Sequence, residues 1–425
     1  MSEVDLVVMG QGYVGLPMAL AAARAGLVVV GMDTAPGVVS ALAGGRSHIT
    51  DVSDAELQAG LASGYRPSGD PTCLVGAGAI VVCVPTPLSS DGGPDLRAVL
   101  SAATTIGEHV SPGTLVVLES TTYPGTTEEL FAPLVLGDRY RLGVDVHIAF
   151  SPERIDPGNR HYTVQNTPKV VGGLTPQCTV RAQQFYSRFL DEVLPALGAR
   201  EAEMAKLLEN TFRHVNIALV NEMVRFCDEL DIDLWNAIEC AETKPFGFMA
   251  FRPGPGVGGH CIPVDPSYLS HRVRASLGYS FRMVELAEEI NKAAPLYVAS
   301  RVREALNEQS AAVKGSHVLL VGVTYKPDVA DCRETPATPL AERLLSWGAD
   351  LSYHDPLVPT WQVGRGERSR RLTAVDDVYA AAAEADVTVL LQTHRAYDLG
   401  RLSDSAQLVF DTRGVLKPGG HVLRL

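Results

Sequence analysis

At 425 residues the chain is too long for one ordinary domain, and two or three are expected. Hydrophobic residues make up 46% and charged residues 20%, a soluble globular balance, and no apolar run approaches the length of a membrane span. The formal net charge of −13 argues against a nucleic acid or an anionic membrane as the main partner, so a phosphate-bearing ligand has to be held by local positive groups. The N-terminus reads as a strand from Val4, with no basic leader or cleavage site, which implies a cytoplasmic protein. Cys73, Cys83, Cys178, Cys227, Cys240, Cys261 and Cys332 are scattered without metal spacing, so a reduced compartment and no structural metal are expected.

Val4 to Met9 is a short apolar strand that runs into Gly10-Gln11-Gly12-Tyr13-Val14-Gly15. Leu16 to Ala25 reads as a helix stopped by Gly26, and Leu27 to Met32 as a second strand ending at Asp33. This is G-x-G-x-x-G in its strand–helix–strand setting, with an acidic residue eighteen positions after the last glycine. Gly10 makes the turn, Gly12 admits a pyrophosphate to the backbone, and Gly15 lets helix and strand pack closely. The helix N-terminus faces the phosphates, and Asp33 suits a ribose diol and disfavours a 2′-phosphate, so NAD is expected over NADP. Further apolar strands follow at Ala79 to Val84, Leu115 to Glu119 and Val146 to Phe150. Uninterrupted apolar runs suit a parallel sheet covered on both faces, and ligands bind beyond its carboxyl edge. Thr86, Glu119, Thr121 and Glu153 fall at that edge and are expected to form a ligand-facing rim.

From Glu201 to Asp231 the pattern is helical, with Lys206 and Asn210 on one face four residues apart. In isolation the pair could be only a solvated surface pair. Ser280 to Glu308 reads as a second long helix that Pro295 should kink or break. Two long apolar-striped helices between α/β lobes suggest a bridge that also dimerises. Gly254 to Pro266 carries four glycines and three prolines in thirteen residues, which excludes a helix or a central strand. Within it, Cys261 is preceded by His260 and followed by Asp265. The loop alone leaves open an inert buried thiol or a nucleophile.

Ser316 to Val323 restarts the α/β rhythm, followed by a helix near Pro336 to Trp347 and strands at Leu351 to Tyr353, Val387 to Leu391 and Leu408 to Phe410. The second and third fingerprint glycines are missing, so a second doubly wound domain without a second NAD site is expected. Lys326 and Arg333 sit at strand-end positions suited to phosphate. Gly364 to Arg371, with four arginines, reads as an exposed loop.

These motifs together resemble the UDP-glucose/GDP-mannose dehydrogenases, NAD-dependent four-electron oxidases of nucleotide sugars. The resemblance rests on G-Q-G-Y-V-G at 10–15, V-P-T-P at 84–87, E-S-T at 119–121, S-P-E-R at 151–154, K-L-L-E-N at 206–210, G-G-H-C-I-P-V-D-P at 258–266 and Y-K-P-D-V-A-D-C-R-E-T-P at 325–336. It implies two Rossmann-like doubly wound parallel-sheet domains joined by a central helical region, with bounds at 1–198, 199–308 and 309–425, and a homodimer or higher oligomer. It also implies that Cys261 captures a C6 aldehyde as a thiohemiacetal that is oxidised to a thioester. Lys206 would stabilise the oxyanion with Asn210 assisting. Asp265 would orient water and support Lys206, and Glu153 and Thr121 would place the hydrolytic water. NAD would be met by Gly10, Gly12, Tyr13, Val14, Gly15, Asp33, Thr86, Glu119, Thr121 and Arg333. The UDP-sugar would be met by Glu153, Arg154, Lys206, Asn210, Arg252, Gly258 and Lys326. S-P-E-R-I-D-P-G-N at 151–159 and K-P-F-G-F-M-A-F at 244–251 look most like the bacterial UDP-N-acetylglucosamine branch. UDP-glucose, UDP-N-acetylmannosamine and a simple two-electron NAD dehydrogenase stay as alternatives.

Overall fold

The computed structural model describes residues 4–49, 51–89, 93–156, 158, 159, 161–259, 262–364, 366 and 369–425. The chain forms two compact units, Met1–Glu209 with Ser267–Tyr279, and Asn210–Pro266 with Ser280–Leu425. The residues expected to form the central helical region are therefore shared between the units.

In the first unit, most strands of the sheet are four- or five-residue runs rich in Val, Leu and Ile. Its strands are β1 (Leu6–Met9), β2 (Val29–Met32), β3 (Tyr65–Ser68), β4 (Ala79–Val82), β5 (Leu115–Leu118), β6 (His147–Phe150), β7 (Lys169–Gly173) and β8 (Val193–Pro195). Their order is β3-β2-β1-β4-β5-β6-β7-β8. β1, β2, β4, β5 and β6 are buried at every position. Side chains alternate between the two faces: Leu6, Val8, Val81 and Val117 join one core cluster, while Val7, Met9, Ile80 and Val116 join the other. Each such side chain contributes about 1.5–3 kcal/mol on leaving water. All neighbours run parallel except β6 and β7, which pair antiparallel through Ala149 with Gly173 and Phe150 with Gly172. β3 was not expected from its sequence, because Tyr-Arg-Pro-Ser carries no apolar run; as an edge strand it needs to bury only Tyr65.

In the second unit, β9 (His317–Val321), β10 (Asp350–His354), β13 (Val387–Leu390), β14 (Val409–Asp411) and β15 (Val422–Arg424) form a parallel sheet in the order β10-β9-β13-β14-β15, while β11 (Thr360–Val363) and β12 (Arg370–Thr373) form a separate hairpin. The exposed loop expected at 364–371 is corrected at its end: Arg370 and Arg371 belong to β12, paired with Val363 and Gln362. In both sheets the chain reverses direction about its first strand, between β1 and β4 and between β9 and β13. Those are the positions where ligands meet the carboxyl ends of an open α/β sheet.

Two long helices run over Ala199–Glu229 and Arg282–Glu308. Pro295 does not break the second. It lacks the N–H that would reach the Asn291 carbonyl, and Gly256 passes at that gap: a Cβ there would lie 3.3 Å from both Asn291 O and Pro295 Cδ. The glycine- and proline-rich stretch is not all loop either. Asp265 and Pro266 open the Asp265–Leu277 helix, where proline is tolerated in the first turn and an acidic side chain suits the N-terminus. No helix among the described residues is long and apolar enough to cross a membrane.

Candidate active site

In the first unit the fingerprint glycines occupy places that side chains could not. Gly10 has φ +90°, and a Cβ on it would lie 2.5 Å from the Cys83 carbonyl oxygen at the end of β4. A Cβ on Gly15 would lie 1.9 Å from Gly10 O, whereas one on Gly12 would meet nothing within 4 Å. The turn is thus tight underneath and open where a pyrophosphate would approach. Tyr13 and Val14 lie half-buried at the start of the helix. Asp33 is set by two backbone donors, Gln11 N–H to Oδ2 at 2.9 Å and Ala35 N–H to Oδ1 at 2.9 Å. Gln11 is itself a buried strut, donating to Val8 O at 2.8 Å and accepting from the Tyr65 hydroxyl at 2.8 Å. The open glycine cradle and the anchored acidic residue fit an adenine dinucleotide with a free ribose diol.

The expected rim divides in two. Thr86 is buried, and its carbonyl accepts from the Tyr268 hydroxyl. Glu119 turns inward instead of facing a ligand. Its carboxylate has no exposed surface, pairs with Lys169 Nζ at 2.8 Å and accepts from the Tyr186 hydroxyl. Burial pushes the Glu119 carboxyl up, against the pull of Lys169. Thr121 is half-buried at the start of the next loop. That loop is pinned by Glu203, which accepts from Gly125 N–H at 2.6 Å and from Thr127 N–H and Oγ1 at 2.9 and 2.6 Å. One turn further along the same helix, Lys206 is buried and donates to Glu153 O at 2.6 Å, with Glu153 Oε2 at 3.3 Å. Glu153 also accepts from the Ile155 N–H. A buried ammonium beside a carboxylate is chemically suited to stabilising a developing oxyanion. Arg154, expected on the substrate, donates to Pro168 O at 3.0 Å and pairs with Glu209.

In the second unit, Cys261 and its neighbour His260 lie outside the described residues, but both flanks of the thiol are described. On the far side Asn210 donates to Asp265 Oδ2 at 2.5 Å, and Asp265 is buried. On the near side Gly254 N–H donates to Asn221 Oδ1 at 3.0 Å. Asn221 donates to Asn291 Oδ1 at 3.0 Å and Asn291 donates to His214 O at 3.1 Å, a buried amide network between the long helices. Gly259 has φ +85° and donates its N–H to Arg333 O at 3.1 Å. A Cβ on Gly258 would lie 2.8 Å from both Glu334 O and Tyr325 Cβ. Arg333 forks onto Asp331 at 2.6–3.0 Å. Lys326 is half-buried in the loop after β9. Arg252 makes an exposed pair with Glu242 at 2.9 Å.

The NAD binding domain of the UDP-glucose/GDP-mannose dehydrogenases matches residues 4–190, their central domain matches residues 200–293, and their UDP binding domain matches residues 319–418. The chain belongs to that family. It is an NAD-dependent nucleotide-sugar dehydrogenase. A UDP-N-acetyl-D-mannosamine dehydrogenase of Yersinia pestis is 35% identical over 98% of this chain and 100% of its own length. An NDP-N-acetyl-D-galactosaminuronic acid dehydrogenase of Ralstonia solanacearum is 34% identical over 97% of each. The solved UDP-D-ManNAc dehydrogenase of Pyrococcus horikoshii superposes with a TM-score of 0.86 at 30% identity, covering 99% of this chain and 98% of that one. Lys169, Tyr186, Glu203, Asn221 and Asn291 were missed in the sequence. They are polar residues inside apolar helical or strand patterns, and nothing local marks them as partners.

Proposed function

We propose that the enzyme oxidises C6 of a UDP-N-acetylhexosamine to the uronic acid in two steps, with UDP-N-acetylmannosamine the first substrate to test and UDP-N-acetylglucosamine its epimeric control. The Yersinia pestis and Ralstonia solanacearum relatives are named for N-acetylated hexosamines or their uronates, which supports an N-acetyl sugar over glucose. The observation that carries the two-step chemistry is the buried Lys206–Glu153 pair, combined with a sequence that supplies Cys261. Two NAD molecules, bound one after the other, would each accept one hydride, the first from the C6 alcohol to give the aldehyde and the second from the Cys261 hemithioacetal to give the thioester. Cys261 as thiolate adds to the C6 aldehyde, forming the C–S bond of a hemithioacetal and retaining the otherwise diffusible intermediate. Lys206 Nζ donates to the alkoxide oxygen of that adduct and again to the tetrahedral oxyanion formed when water attacks the thioester, with Asn210 assisting. Glu153 holds the ammonium; Asp265 and Thr121 orient the water, whose attack releases the Cys261 thiol and the carboxylate. Lys326 takes the nucleotide diphosphate.

Residues 199–308 also serve as the dimerisation region in this reading. Met204, Leu208, Phe212, Leu219 and Phe226 leave 42–64% of their surface exposed along one helix, an apolar stripe suited to a second copy. The test is NADH released per sugar consumed. Two NADH with one preferred N-acetyl sugar is expected, and one NADH per sugar overturns the thioester route. Light scattering that finds a monomer overturns the dimer.

A further inference from the structure

The second sheet reverses direction between β9 and β13, so two loops leave it side by side, residues 322–336 and 391–397. The later loop holds the earlier through several hydrogen bonds. Gln392 Nε2 donates to Tyr325 O at 2.8 Å. Asp328 N–H donates to His394 Nδ1 at 2.9 Å. Arg395 gives its N–H to Asp328 Oδ1 at 2.9 Å and its Nε–H to Oδ2 at 2.5 Å. Asp328 has φ +60°, a left-handed conformation that a non-glycine residue adopts only when its surroundings hold it there.

His394 is buried, and its tautomer follows from its partners. Nδ1 accepts from Asp328 N–H, so the ring proton sits on Nε2, which points at Asp355 Oδ2 at 3.0 Å. The hydroxyl of Thr324 lies 3.1 Å from the same Nε2 and donates to Lys326 O at 3.0 Å. Asp355 in turn accepts Val323 N–H at 2.7 Å and Leu357 N–H at 2.9 Å. Neutral His394 therefore forms a strut between the sheet and the turn that carries Lys326.

The other side of that turn meets the segment leading to Cys261. A Cβ on Gly259 would lie 2.7 Å from the Tyr325 ring, and one on Gly258 would lie 2.8 Å from Tyr325 Cβ. Only glycine leaves room for the Tyr325 side chain so close to that segment. Gly259 N–H to Arg333 O adds a backbone tie. We propose that Tyr325 is a positioning residue for the oxidation: it joins the Lys326 loop to Gly258–Gly259, so that nucleotide binding and the chain leading into Cys261 respond as one piece, with His394 and Gln392 holding Tyr325 in place. This rests on the reading of Lys326 as a diphosphate contact and of Cys261 as the nucleophile.

The test measures the rate of Cys261 alkylation by iodoacetamide in the full-length protein, by peptide mass spectrometry, with and without UDP. In the unsubstituted enzyme UDP should change that rate by about tenfold, a usual size for coupling between two sites. Tyr325→Leu should abolish the change and lower kcat while leaving the Kd for UDP within about threefold, less than one kcal/mol. Tyr325→Phe, which keeps the ring, should restore the coupling. If Tyr325→Leu fails to fold, His394→Gln tests the same link from the opposite side of the turn; it keeps the reach to Asp355 and loses the acceptor for Asp328 N–H. Undiminished UDP coupling in Tyr325→Leu or in His394→Gln overturns the proposal, as does an unsubstituted enzyme whose Cys261 is indifferent to bound UDP. A stoichiometry of one NADH with the coupling intact would instead remove the thioester mechanism and leave the link standing.

Discussion

The cofactor cradle of the first unit and the Gly254–Gly259 segment of the second are both glycine-built, yet they are held differently. In the cradle the motif itself is local: Gly10, Gly12, Gly15 and Asp33 lie within 24 residues, and the tight places, Gly15 against Gly10 O and Gly10 against the Cys83 carbonyl, are backbone against backbone. Gly254–Gly259 is held from far along the chain, by Asn221, Asn291, Tyr325, Arg333 and Pro336. A dinucleotide needs a standard backbone shape that a short motif can encode. Placing the chain that leads to one thiol needs side chains from several elements at once.

The largest effect separating the regions is expected from Cys261→Ser. Uronate formation should fall on the order of 10³-fold or more while NAD binding is retained, as read by product assay and cofactor titration. Equal losses in both would erase the distinction. Gly15→Ala should do the reverse. A methyl group driven toward Gly10 O should weaken NAD on the order of 10- to 100-fold and leave UDP binding by the other unit unchanged, both measured by calorimetry.

Glu203→Gln sharpens the comparison through stability. Burial outweighs three hydrogen bonds and holds the Glu203 carboxyl above its ordinary range. With a raised carboxyl pKa the folded chain keeps a proton that the unfolded chain has released. The group's contribution is therefore present at low pH and declines as pH rises from about 4.3 towards the folded value. Urea titrations across that window should show this slope in the unsubstituted enzyme and not in Glu203→Gln. The variant should also be about 1–3 kcal/mol less stable, because an amide N–H faces the Gly125 N–H. The smallest effect belongs to Arg252→Ala. An exposed pair with Glu242 contributes about 0–1 kcal/mol, so the melting temperature and the KM for the nucleotide sugar should barely move. A large rise in KM would return Arg252 to the substrate.

The buried central strands and the order of motifs were legible in the residues, and the candidate reactive side chains were named there by type. Apolar runs and glycine spacing act over a few positions, and Gly10–Gly15, Lys206 and Cys261 could be picked out without coordinates. The edge strand Tyr65–Ser68 and the hairpin strand Arg370–Thr373 were not legible, because their pairing is fixed by a partner strand and not by their own composition. Pro295 read as a break because the local cost is visible in sequence, while the passing Gly256 that makes use of it is not.

The sequence by itself determined the chemistry on offer: a dinucleotide cradle, a thiol, a lysine and two carboxylates, each named by its type and its neighbours. Only the tertiary structure decided which polar groups became partners. It turned Glu119 inward onto Lys169, gave Lys206 to Glu153 and Asn210 to Asp265, and set His394 under the turn that carries Lys326. A buried polar group has to find its hydrogen bond wherever the fold brings one within 3 Å or so, and that distance is not written in the spacing of the chain.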